Sequence, residues 1–437
     1  MYKINHSIVI VLIALFICTI TQTTYSQNTE FITVKNGNFY IGDKPYYFIG
    51  FNFWFGMHLG ADNEHGDRER LIRELDRLKD MGVNNLRVLA SSEGPDTEPF
   101  RVIPSLQPEP GVYNEDILKG LDFFLAEMDK REMRAVLVLN NFFQWSGGMA
   151  QYISWATGEP IPYPEVDGNT WMDFMTNSAR FYTFPEARQW FKDFVEMLIN
   201  RTNHITGRKY KDDPTIMSWQ LANEPRGYEH PEEYADWVKN AAGFIKERAP
   251  RQLVSLGGEG KLIAGDENPL FEEVGTYPEL DYLTMHLWIE NWGRYIPSQP
   301  ETFVPATGFA FGYLADHVAI AEKLNKPLVL EEFAVSRDTR NYNPQTPVFY
   351  RDRFYTMVFE ALLHLTLERS NLAGYNLWSW SGEGYPVEPG AMWKLGDPLT
   401  GDPPHEHQGW YSIYEHDEST IELIREYNER LREIKWD

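Results

Sequence analysis

Two short stretches hold carboxyl groups at the ends of apolar runs. In residues 219–230, WQLANEPRGYEH, the run stops at Asn223, Glu224 and Pro225. Pro225 fixes its own φ and has no N–H to donate, so the turn holds the Glu224 carboxyl in place. In residues 327–334, PLVLEEFA, a second run meets Glu331 and Glu332. Two carboxyls opposed across a cleft suit the hydrolysis of a glycosidic bond. One, protonated, gives the leaving oxygen its proton. The other, ionised, attacks or activates water. Their mutual repulsion separates the two pKa values. Alone, Asn-Glu-Pro is also compatible with a helix cap or a Glu224–Arg226 salt bridge. A strand before it and a second strand-end carboxylate far downstream favour chemistry. Alternation sends Glu331 and Glu332 to opposite sides of a strand, so one of them faces the mouth, and periodicity does not say which.

The elements that must position these groups recur along the chain. Short apolar runs cover residues 46–52, 85–90, 134–140, 217–222, 253–257, 282–286, 328–330 and 374–378. Amphipathic stretches separate them. DRERLIRELDRLKDM, residues 67–81, has Leu71, Leu75 and Leu78 on one face, and ILKGLDFFLAEMDKREM and EARQWFKDFVEMLINRTN read the same way. Strands alternating with helices imply parallel pairing, because parallel strands need crossovers. Eight such units predict an α/β fold, a (β/α)8 TIM barrel in a single domain. A doubly wound open sheet is the alternative, and no Gly-rich phosphate loop follows the first run to support it. A barrel places active residues at the C-terminal ends of its strands. Those ends are Asn52, Arg87 within its strand, Asn140 and Asn141, Asn223 and Glu224, His286, Glu331 and Glu332, and Trp378.

Composition narrows the class. Lys3, an apolar run over residues 8–20 and the small residues around Thr24 and Ser26 predict a secretory signal over residues 1–26, with the catalytic domain in 27–437. The product would be secreted, extracellular or periplasmic, with no membrane span in the mature chain. The one cysteine, Cys18, lies inside that signal, so disulfides, thiol chemistry and cysteine–metal sites are not expected in the mature chain. A net charge of -24 repels nucleic acid and favours neutral partners. Sugar rings stack their C–H faces on indoles, and the chain holds 14 Trp. Trp378 ends the eighth run. Trp54, Trp145, Trp292 and Trp410 lie near strand ends or in the loops after them. The loop from residue 142 to about 185 is long enough to shape a binding site.

Five blocks, NNLRVLASSEG, VLVLNNFFQWSGGM, IMSWQLANEPR, HLWIENW and PLVLEEFA, resemble in the right order those of the glycoside hydrolase family 5 barrels, in the subfamily of endo-β-1,4-mannanases. The resemblance covers nearly the whole mature chain. It implies a retaining endo-β-1,4-mannanase acting on mannan, glucomannan or galactomannan. Glu224 falls on the acid/base and Glu332 on the nucleophile, which would set their carboxyls about 5–5.5 Å apart. It further implies that Arg87 keeps Glu332 ionised, that Asn223 binds the sugar 2-hydroxyl, that His286 is the family's strand-six histidine at the substrate, and that Trp378 is the floor of the subsite of the cleaved sugar. Trp288 replaces the family's usual tyrosine, so an indole N–H stands where a hydroxyl would serve the nucleophile. Ala334 replaces a glycine. The alternatives are an exo-acting β-mannosidase or a β-1,4-glucanase of the same fold, and a carbohydrate-binding protein on a decayed scaffold. This chemistry needs no cofactor or metal, and no second histidine stands at ligand spacing near His286. The expected partner is a β-mannan chain, and the expected state is a monomer.

Overall fold

The computed structural model describes residues 29–435. The expected signal segment, with Cys18, lies outside them. Eight parallel strands form the central sheet: β1 (Phe48–Asn52), β2 (Asn85–Leu89), β3 (Arg134–Val138), β4 (Ile216–Gln220), β5 (Leu253–Ser255), β6 (Leu283–Leu287), β7 (Leu328–Phe333) and β8 (Leu372–Leu377). They pair in the order β6-β7-β8-β1-β2-β3-β4-β5. The two end strands meet at a seam crossed by backbone bonds. Asp281 N–H donates to Val254 O at 2.8 Å and His286 N–H to Glu259 O at 3.0 Å. The result is the expected nearly closed barrel.

Each strand is buried along its length, which explains the continuous apolar runs rather than alternation. Each strand is followed by a helix of the outer ring: α1 (Arg68–Asp80), α2 (Glu115–Lys130), α3 (Pro185–Asn200), α4 (Pro231–Arg248), α5 (Leu270–Gly275), α6 (Phe303–Leu324), α7 (Phe349–Leu367) and α8 (Glu418–Arg432). Leu71, Leu75 and Leu78 of α1 pack inward as their spacing predicts, and the Asp67 carboxylate caps that helix by accepting from Arg70 N–H. Pro185 and Pro231 open α3 and α4, where a missing N–H costs nothing. Barrel curvature brings backbones close at Gly50 of β1. A Cβ there would sit 2.3 Å from Asn85 O, so no larger residue fits.

Three short strands, Ile32–Lys35, Asn38–Ile41 and Lys44–Pro45, form an antiparallel sheet before β1. Ile32 and Phe39 from it cluster with Tyr46, Phe48, Val136, Met217, Leu253 and Tyr282, closing one end of the barrel with apolar side chains. Chemistry is left to the opposite mouth.

Two sequence expectations are corrected. The stretch from 142 to 185 is not a bare loop, for it carries helices Gly148–Thr157 and Trp171–Ala179. Strand β7 runs on through both glutamates to Phe333 and does not alternate simply. Its register against β6 slips, with Met285 opposite Leu330 but His286 opposite Glu332. Glu331 is the extra residue of a β-bulge, the device that re-aims side chains near active sites.

Candidate active site

The mouth is organised around Arg87. Its Nη1 donates to Glu332 and, at 3.0 Å, to Asn52 Oδ1. Nη2 donates to Asn223 Oδ1 at 2.8 Å and Nε to Gln220 Oε1 at 2.7 Å. Strands β1, β2, β4 and β7 are thus joined by one buried guanidinium. The planar fork suits this role, since it binds carboxylate and amides at once. Asn223 is fixed at both ends, because its Nδ2 donates to Asn141 Oδ1 at 3.2 Å. One Nδ2 hydrogen remains for a ligand hydroxyl.

Glu224 sits just beyond β4 with φ at 47°, a left-handed conformation that is costly for a glutamate ahead of a proline. Gly257 O accepts its backbone N–H at 2.8 Å, and Asn140 O accepts that of Asn223 at 2.9 Å, so neighbouring strand ends impose the turn. The carboxyl is buried. His286 Nδ1 lies 2.6 Å from its Oε1, and Arg226 Nη2 donates to its Oε2 at 3.3 Å. The same imidazole nitrogen is 3.3 Å from Glu332 Oε2. An oxygen of Glu224, a ring nitrogen of His286 and an oxygen of Glu332 all lie within 4.8 Å of one another, so the two carboxyls share one small pocket. The imidazole nitrogen between them serves this pair.

Burial raises the proton affinity of both Glu224 and Glu332. The charges of His286 and Arg87 oppose that at Glu332, where Arg87 makes direct contact, and those of Arg226 and Arg87 oppose it at Glu224, which Arg226 reaches at 3.3 Å. His286 is pushed down to about 4 by burial, so it stays neutral between them.

The aromatic expectations divide. Trp378 and Trp288 meet edge to face at 6.0 Å, and the Trp378 N–H is buried without a partner. Trp288, which stands in the tyrosine's place, also packs on Tyr411 at 5.2 Å. Trp54 is a correction. It offers no open platform, being 3% exposed with its N–H donating to Gly401 O at 2.9 Å. Trp145 packs on Trp54, Trp378 and His405. Trp292 packs away on Phe309 and Tyr313, and Trp410 stacks on Tyr411. Trp380 belongs to the core, where its N–H donates to Glu74 at 3.0 Å.

The long segment after β8 supplies residues that the sequence did not point to. Asp402 gathers the N–H groups of Gly409 at 2.8 Å and Tyr411 at 2.7 Å, and the Ser412 hydroxyl at 2.6 Å. This folds the segment into a roof. His405 stacks at 10° to Trp145. Glu406 Oε2 is closed from solvent with no hydrogen-bond partner. Burial and the charges of Asp402, Glu332 and Glu224 raise its proton affinity well above that of an ordinary carboxyl. Lacking periodicity, PHEHQGW reads as loop, and only its density of titratable residues was a signal.

The sequence matches the family profile described as "GH family 5 beta-mannosidase-like" over residues 29–436. Mannan endo-1,4-beta-mannosidase 1 of Solanum lycopersicum is 30% identical over 377 residues, 82% of this chain and 85% of that one. The crystal structure of the glycoside hydrolase family 5 mannosidase from Rhizomucor miehei superposes with TM-score 0.85 at 41% identity, over 92% of this chain and 98% of that one. A variant of that mannosidase, solved in complex with mannosyl-fructose, matches with TM-score 0.85, 41% identity, and 92% and 97% coverage. The barrel, the paired glutamates on its β4 and β7 ends, and these likenesses agree, and the chain belongs to glycoside hydrolase family 5.

Proposed function

We propose that the protein is a retaining β-mannosidase that removes mannose from the ends of β-1,4-mannosyl chains, with Glu224 as acid/base and Glu332 as nucleophile. In the first step the Glu332 carboxylate attacks the anomeric carbon while Glu224 gives its proton to the glycosidic oxygen, and the C–O bond breaks. The product is a mannosyl ester of Glu332. In the second step Glu224, now ionised, takes a proton from water. That water attacks the same carbon and the ester bond breaks. Arg87 keeps Glu332 ionised, and Asn223 offers its free N–H to the 2-hydroxyl. Trp378 lies under the ring.

Glu406 is the observation that carries chain-end action. Glu406 is half-buried, and its Oε2, closed from solvent without a partner and within the electrostatic reach of both glutamates, calls for a hydroxyl donor. The hydroxyls of a terminal sugar supply it, whereas a continuing polymer would meet the roof of His405, Glu406 and Trp145. The mannosidase likeness at 41% identity supports a mannoside as the substrate. Internal cleavage is the second reading, supported by the activity in the tomato relative's name.

Product analysis on mannohexaose, with cellohexaose alongside, decides between them. Mannose from the first minutes, with the oligomer shortened one unit at a time, is expected. Mixed short oligomers at once would establish internal cleavage instead. Hydrolysis of cellohexaose alone would sink the mannoside assignment. Glu406→Ala is expected to lower kcat/KM for mannobiose by about 10-fold, the cost of one lost hydrogen bond. Secretion through the N-terminal apolar run is proposed with it, and N-terminal sequencing of the exported protein checks that.

A further inference from the structure

We propose that Glu331 is a positioning residue for the hydrolytic pair, coupled through Gln220 to the same guanidinium that holds Glu332. This rests on the two-glutamate reading above. Ordinary strand alternation would turn Glu331 away from its neighbour. The bulge in β7 instead leaves it facing the barrel interior, fully buried, with Oε2 3.7 Å from Arg87 Nε. Gln220 bridges the two. Its Nε2 donates to Glu331 Oε1 at 2.9 Å and Oε2 at 2.7 Å, while its Oε1 accepts from Arg87 Nε at 2.7 Å. The titratable and charged groups facing Glu331 are Arg87 from β2, Glu332 beside it on β7, and Tyr282 at the entry to β6. One cation therefore serves two carboxyls, and no step of hydrolysis uses Glu331 directly.

Two protonation states have different consequences. While Glu331 holds its proton, the charge of Arg87 acts undivided on Glu332. Once Glu331 ionises, it shares that charge and adds a negative charge below the mouth. Glu224 then holds its own proton more tightly, and the acid form survives to higher pH. Burial pushes Glu331 up to about 7, which puts the change within the range where such an enzyme turns over.

The test uses the full chain and Glu331→Gln, which keeps the shape and the acceptor for Gln220 but removes the charge. kcat/KM is measured from pH 4.5 to 8.5 on mannobiose and on an aryl β-mannoside. The variant is expected to match the wild type within about twofold at pH 5 and to fall up to about threefold further behind at pH 8, its alkaline limb lying about half a unit lower. Gln220→Met is expected to move the limb the same way, because losing its donor keeps Glu331 protonated, and it carries the test if Glu331→Gln does not fold. A ratio to wild type that stays constant with pH, or a limb that moves up, overturns the proposal alone. A wild type inactive on both mannosides overturns the functional reading, and this proposal with it.

Discussion

The indole N–H of Trp54 donates to the carbonyl of Gly401 at 2.9 Å, so the end of the first barrel strand holds the roof over the active site. Ser379 donates its hydroxyl to the same carbonyl. The contact joins residues 347 positions apart in the chain. It fixes where Asp402, His405 and Glu406 can lie. Trp54→Phe keeps the packing against Trp145 and removes the donor. We expect a stability loss of about 1 kcal/mol. Hydrogen exchange over residues 399–406 should quicken, and kcat/KM on mannobiose should drop about three- to tenfold. Unchanged exchange in that segment would show that Asp402 alone secures the roof.

The two glutamates should fail differently. Glu332→Ala removes the nucleophile, and turnover of every β-mannoside is expected to fall at least about 10³-fold with the fold intact. Glu224→Ala should cost about 10²- to 10⁴-fold on mannobiose but far less on a dinitrophenyl mannoside, whose leaving group needs no proton. Added azide should restore part of the second step, giving a β-mannosyl azide detectable by NMR. An α-configured product would contradict the retaining geometry.

Buried titratable groups set the pH range of stability. Burial raises Glu93 to about 8, and Glu259 and Glu331 to about 7. Glu74, Asp213, Glu224, Glu332 and Asp402 shift the same way. These groups bind protons more tightly folded than unfolded. Their stability contribution is complete below the ordinary value of 4.5 and is lost as pH climbs through the raised values. His58, His286 and His317, lowered to about 4, act oppositely, losing stability as pH falls from 6.5 toward 4. Between 6.5 and 8 the raised carboxyls outnumber the opposing group, Lys326, which burial lowers to about 8. The melting temperature should be higher at pH 5.5 than at pH 8. Equal values, or the reverse order, would contradict the burial assigned to these carboxyls.

Arg226 connects the acid to a further carboxyl. Its Nε donates to Glu259 Oε2 at 2.8 Å and its Nη2 to Glu224 Oε2 at 3.3 Å. Arg226→Met keeps the apolar stem and deletes the cation. Without it Glu224 holds its proton more tightly, so the alkaline limb of kcat/KM should move up. Glu259 can remain protonated at pH 5, and the stability loss there should be small. At pH 8 the unpaired carboxyl must ionise, and a loss of about 3–5 kcal/mol is expected. Chemical denaturation at both pH values checks it.

Much of the fold and the central pair was legible in the chain. Strands buried on both faces read as continuous apolar runs, and helices read by their leucine stripes, because burial is a local demand on each segment. Asn223, Glu224 and Pro225 announced a strand end because proline restricts the backbone locally. Glu332 emerged from Glu331 only through family resemblance. Tertiary structure alone decided how those two glutamates differ, since the bulge depends on how β7 pairs with β6. It also decided that Gln220 bridges Glu331 to Arg87, that Trp54 braces the roof instead of facing substrate, and that Glu406 enters the mouth from far along the chain. Each is a long-range contact between polar groups, where no periodicity records a partner. Local sequence specifies which face of an element is buried, but which distant side chain meets it there is set by the closing of the barrel.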